Sequence, residues 1–83
     1  MSTVQIGVSP QRTMAAVVAE NVRAEAARRG FSQVALGRAL GLGQNQVARR
    51  WRGVTPWTLD EVGEVAEVLG VTVQDLVTDF VGK

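Results

Sequence analysis

Six side chains of the stretch QNQVARRWR have the chemistry to read a polynucleotide: Gln44, Asn45, Gln46, Arg49, Arg50 and Arg52. Between them stand Val47 and Trp51, four residues apart, an apolar i, i+4 pair that gives a helix a buried contact and leaves the polar groups outside. The carboxamides of Gln and Asn pair with adenine through two hydrogen bonds. Guanidinium does the same with guanine, or binds a phosphate. Each good base contact discriminates against a wrong base by about 1–3 kcal/mol.

Such side chains need a rigid mount, and the residues just before them supply one. Ser32–Gly53, SQVALGRALGLGQNQVARRWRG, reads as two short helices joined by a glycine-containing turn. Ser32 is a helix cap, and Leu36 and Leu40 share one face of the first helix. Gly37 is small where the second helix must cross closely. Gly41 can take the left-handed conformation that ends a helix without a side-chain penalty. Leu42 drops into the core from the turn.

This stretch resembles the Cro and phage-repressor (XRE-type) helix-turn-helix family, through Gln33, Leu36-Gly37, Gly41, Leu42, Val47 and Gly53. The likeness extends forward through VTPWTLDEVGEVAEVLGVTVQDLV and back through AENVRAEAARRG, covering residues 13–80. It implies an all-α chain, a compact five-helix lambda-repressor-like domain with a short N-terminal arm. It also implies that the helix at 44–52 enters the major groove of double-stranded DNA. On that analogy Gln44, Asn45 and Arg49 face the groove floor, and Gln46 lies nearer its wall. Ser32, Gln33, Arg38, Gly43, Arg50 and Arg52 are the implied backbone contacts. Gln33 would also steady the first amide of the second helix, that of Gln44. Gly43 would offer a bare amide at a helix N-terminus, where partial positive charge favours a phosphate.

Two positions depart from the family pattern. Many members pair an Arg late in the first helix with a Glu near the end of the recognition helix; here those positions are Ala26 and Trp51. Losing one partner would strand a buried charge at a cost of about 3–5 kcal/mol, whereas replacing both by packed apolar groups can be neutral. Trp51 is therefore expected to pack over Ala26. Arg50 occupies a position that is usually apolar, and is expected to point outward.

The charge distribution favours the same half of the molecule. The net charge of the 83 residues is only +1, yet residues 1–53 hold eight arginines against two glutamates, a net +6. Residues 54–83 hold one lysine against six acids, a net −5, so the basic surface accompanies the helix-turn-helix. The chain has neither cysteine nor histidine, which excludes disulfides and argues against structural zinc. It has no apolar run long enough for a membrane span and no secretory leader, so a cytoplasmic protein of a bacterial or phage-infected cell is expected. Its length suits one domain with a small core.

Along the chain, residues 1–8 read as an arm and 9–83 as the domain, with the helix-turn-helix at 32–53. Val4, Ile6 and Val8 alternate, but no basic residue precedes Arg12, which argues against minor-groove insertion by the arm. Ser9-Pro10 signals a helix start. From there a helix is expected to Arg29, burying Met14, Val17, Val18, Val22 and Ala26, with Gly30 ending it and Phe31 plugging the core. Pro56 stiffens the loop after Gly53, which the resemblance places along the DNA backbone, and Trp57 is expected as a core plug. Thr58 and Glu61 form a capping box before a helix that buries Val62, Val65, Ala66 and Leu69 and closes at Gly70. Thr72 caps a last helix burying Val73, Leu76 and Val77. Asp60, Glu61, Glu64 and Glu67 read as a solvated acidic face.

The function the resemblance implies is a sequence-specific transcriptional regulator, a repressor of the phage or prophage immunity type. RRWRGVTPWTLDEV resembles regulators of actinobacteria and their phages. The alternative is an antitoxin-like interaction module that also binds its own operator, using the arm or Phe80-Val81 against its partner. An enzyme is disfavoured, because no nucleophile stands beside a plausible base. No cofactor, metal or small-molecule ligand is expected. Dimers on palindromic sites are the family habit, and the last helix, around Thr72, Gln74 and Phe80-Val81, is the expected surface; a monomer on an asymmetric site is the alternative.

Overall fold

Hydroxyl side chains start four of the five helices. Thr13, Ser32, Thr58 and Thr72 each accept a hydrogen bond from the amide three residues on, at 3.0 to 3.1 Å. Each such cap stabilises a helix by about 1 kcal/mol. The structure, a computed structural model, describes residues 12–80. Its elements are α1 (Met14–Arg28), α2 (Gln33–Leu40), α3 (Gln44–Arg52), α4 (Leu59–Leu69) and α5 (Val73–Val77), with no strand among the described residues. The five-helix all-α expectation is met. No helix of the described residues is long and apolar enough to cross a membrane.

The core follows the spacing of the apolar residues. Val18, Val22 and Ala26 of α1 meet Leu36, Val47, Trp57, Leu76 and the α4 stripe Val62, Val65, Ala66 and Leu69 in one buried cluster. Leu36, Val47, Val65 and Leu76 are fully enclosed, each contributing about 1.5–3 kcal/mol by its removal from water. Phe31, Leu40, Leu42 and Trp51 pack around the edge.

The first helix starts later than the sequence suggests. Thr13 is its cap, and the Ser9-Pro10 signal and the arm at 1–8 lie outside the described residues. Met14 and Val73 were expected inside but are 57% and 47% exposed. Both are the first residue of their helix, and the buried stripe begins only further in, at Val17-Val18 and at Leu76.

Two polar side chains bind the short elements to the body. Asn21, buried in α1, donates from Nδ2 to the carbonyls of Leu76 at 3.0 Å and Thr78 at 2.8 Å. Those carbonyls belong to the end of α5, where a helix has no acceptor-satisfying amides of its own. Arg23 donates to the Trp51 carbonyl in the last turn of α3, placing a cation at the negative end of that helix. The first helix thus still sends an arginine to α3, but to its backbone and from a different position than the family pattern implies. Trp51 is half-buried against the cluster that contains Ala26, itself fully enclosed.

Candidate nucleic-acid interface

The α2–α3 unit is built around one missing side chain. A Cβ added to Gly37 would lie 2.9 Å from Val47 Cγ1, closer than real carbon atoms come. Glycine there lets α3 cross α2 closely enough to enclose Val47. The turn between them is set by Gly41, which adopts φ 73°, while its amide and that of Leu42 satisfy the Arg38 and Gly37 carbonyls at the end of α2. A short stiff connection of this kind fixes how α3 stands on the body.

Helical rotation then sorts the side chains of α3. At about 100° per residue, Asn45, Arg49 and Arg52 fall on the stripe opposite Val47. All three are exposed, as are Gln44 and Gln46, while Arg50 and Trp51 are half-buried. Arg38 is exposed at the last turn of α2, Ser32 is exposed at its start, and Gln33 is half-buried beside Ser32.

Several expected contacts are engaged within the protein instead. Gly43 has no side chain to cap α3, and Gln46 takes over by folding back so that its Oε1 accepts the Gly43 amide at 3.0 Å. That bond occupies the amide expected at a phosphate and the carboxamide oxygen expected at a base. The Ser32 hydroxyl accepts the Ala35 amide as a cap. Among the described residues no hydrogen bond joins Gln33 to the Gln44 amide, so the steadying contact implied by the resemblance is not made.

Arg50 does not point outward. Its side chain is 15% exposed, with Nε donating to Glu61 Oε1 at 2.8 Å and Nη1 to the Gln46 carbonyl at 3.3 Å. Glu61, expected on the solvated acidic face, is turned inward with it, and the same Oε1 accepts the Thr58 amide in the capping box. Burial pushes the Glu61 carboxyl up. The hydrogen bonds from Arg50 and Thr58, with the charge of Arg50, outweigh that and hold it below the ordinary glutamate range. Arg50, expected as a backbone contact, thereby links α3 to α4 from a half-buried position.

Arg49 is exposed but oriented. Its Nε donates to Thr55 Oγ1 at 3.1 Å, across the turn at Gly53, which adopts φ 82°. Thr55 carried no signal in the sequence, because its role depends on where that turn returns the chain. Gln46 did carry one: glycine followed three residues later by glutamine is half of a capping box.

The ion pairs complete the electrostatic picture. Arg12 pairs with Glu20 and Asp79, Arg28 and Arg29 with Glu25, and Arg50 with Glu61. Among the described residues Arg38, Arg49 and Arg52 have no ion-pair partner, and all three are exposed on the helix-turn-helix. Trp57 is the expected plug, 7% exposed, and its buried Nε1 has no hydrogen-bond partner among the described residues.

The pattern of the BetR domain family matches residues 12–83. The structure is also similar to a crystal structure described as that of the hypothetical transcription factor NHTF from Neisseria. The two share 27% sequence identity and superpose with a TM-score of 0.77, over 94% of this chain and 90% of that one. No curated protein matches the chain.

Proposed function

The chain belongs to the BetR domain family, a helix-turn-helix class of transcription regulator, and on that premise we propose that it is a sequence-specific repressor. In this reading it lays α3 in the major groove of double-stranded operator DNA, in the manner of the Cro-like immunity repressors of phages and prophages. The observation that carries it is the placement of three uncompensated guanidiniums, Arg38, Arg49 and Arg52, on the same two helices as the exposed carboxamides of Gln44 and Asn45. On α1, by contrast, Arg28 and Arg29 are both paired with Glu25.

Asn45 and Arg49 are the principal base readers, with Gln44 beside them at the start of the helix. Arg38 and Arg52 contact phosphates, as do Ser32 and Gln33 at the N-terminus of α2. Gln46, Gly43 and Arg50 act indirectly, by fixing the ends of α3. The similarity to a structure described as a transcription factor supports this reading. Its setting is the cytoplasm of a bacterial or phage-infected cell, and a homodimer on a palindromic site is the proposed assembly.

Selection of bound sequences from random duplex DNA at two salt concentrations tests the proposal. An enriched palindrome supports the dimeric repressor. An enriched asymmetric site keeps the regulator and removes the dimer. No enrichment, with weak and steeply salt-dependent binding, overturns the reading in favour of an antitoxin-like interaction module.

A further inference from the structure

We infer that Thr55 is a specificity-determining residue, which sets the orientation in which Arg49 reads a base; this rests on the major-groove reading above. The geometry is closed from two sides. The Val54 and Thr55 amides both donate to the Arg49 carbonyl, at 2.8 and 3.2 Å, and the Arg49 Nε donates back to Thr55 Oγ1 at 3.1 Å. Backbone bonds therefore hold the threonine in place, and the threonine in turn holds the guanidinium plane.

The choice of nitrogen matters. Guanidinium has five N–H donors in a rigid planar fork and can pair with two acceptors either side-on, through Nε and one terminal nitrogen, or end-on, through both terminal nitrogens. With Nε engaged by Thr55 the side-on mode is blocked and the end-on mode remains. Guanine presents O6 and N7 as two adjacent acceptors in the major groove, which the two terminal nitrogens match. Thr55 makes no base contact in this scheme and acts only through Arg49.

The test uses the full chain and the duplex recovered by selection, together with the set of single-base-pair variants of that duplex. Arg49→Ala identifies the base pair at which discrimination collapses. Thr55→Val keeps the shape of the side chain and removes the acceptor. It is expected to lower discrimination about tenfold at that same base pair and at no other, the loss of one well-oriented hydrogen bond. Thr55→Ser restores the hydroxyl and is expected to restore discrimination, while melting temperatures of the three proteins confirm folding. Full discrimination in Thr55→Val, where Arg49→Ala has lost it, overturns the role of Thr55 alone. Unchanged discrimination in Arg49→Ala overturns Arg49 as the reader and Thr55 with it. Absence of any selected duplex overturns the major-groove function itself.

Discussion

Arg50 of α3 and Glu61 of α4 form an ion pair at 2.8 Å in which both side chains are more than four-fifths buried, 15% and 14% exposed. The pair joins the recognition helix to the helix that follows the loop, and it uses the carboxylate oxygen that also completes the α4 capping box. Glu61→Gln keeps an acceptor but loses the charge, and is expected to destabilise the fold by about 1–2 kcal/mol at neutral pH. The folded carboxyl titrates below its ordinary value of 4.5, so this stabilisation is complete above that value and is lost as pH falls through the folded pKa. Urea unfolding of both proteins at pH 7 and pH 3 should show a gap that narrows in acid. A gap of equal size at both would show that the charge contributes nothing.

Gly37 faces Val47 with no room for a methyl group. Gly37→Ala is expected to cost about 1–3 kcal/mol as overpacking, despite the better helix propensity of alanine. Adding Val47→Ala should recover part of the loss, so that the double variant is more stable than the sum of the two single changes requires. Additive losses in urea unfolding would place the strain elsewhere.

The two exposed arginines of α3 should separate in a binding assay. Arg49→Ala is expected to relax base preference by about 1–3 kcal/mol at one position. Arg52→Ala should weaken binding to all sequences and lower the slope of log affinity against log salt by about 1. Indistinguishable salt slopes and base profiles for the two variants would remove the division between base and backbone roles.

Asn21 holds the end of α5 through two carbonyls. Asn21→Ala leaves them without that donor and is expected to cost about 1–3 kcal/mol. Because α5 is only five residues long, hydrogen exchange should register the loss first at amides 73–80 and only later in α4. Uniform acceleration across all helices would mean that Asn21 stabilises the whole domain rather than this end.

The parts of this architecture that are legible in sequence are those governed by local chemistry. Ser32, Thr58 and Thr72 announce their helices because a hydroxyl cap acts within three residues. Gly37 announces a close crossing because a side chain would not fit there, and Gly41 a turn because its left-handed backbone is one that other residues rarely adopt. The α4 stripe Val62, Val65, Ala66 and Leu69 follows from helical period alone. What escaped depends on residues brought together by the fold. Arg50 looks like a surface cation until α4 delivers Glu61 to it, eleven positions later. Thr55 looks like loop filler until the turn at Gly53 returns it to Arg49. Met14 and Val73 obey the apolar spacing yet lie at helix ends, where the core has already run out. The resemblance supplied the residues of α3 proposed to face the groove, but its implied amide contacts at Gly43 and Gln33 depend on local capping that this chain arranges differently.

The segment between α3 and α4 has a consequence for how binding is driven. Residues 53–58 are fastened at Val54 and Thr55 to Arg49, at Thr58 to Glu61, and by the burial of Trp57, with Pro56 restricting the backbone between. A loose loop of this length would give up about 1–2 kcal/mol of conformational entropy per residue on contacting a partner. Here those bonds and the buried Trp57 already restrict that freedom in the unbound protein. Association along this edge should therefore proceed as rigid docking, with a small entropic penalty from the protein and little change in its hydrogen-exchange pattern between the free and bound states.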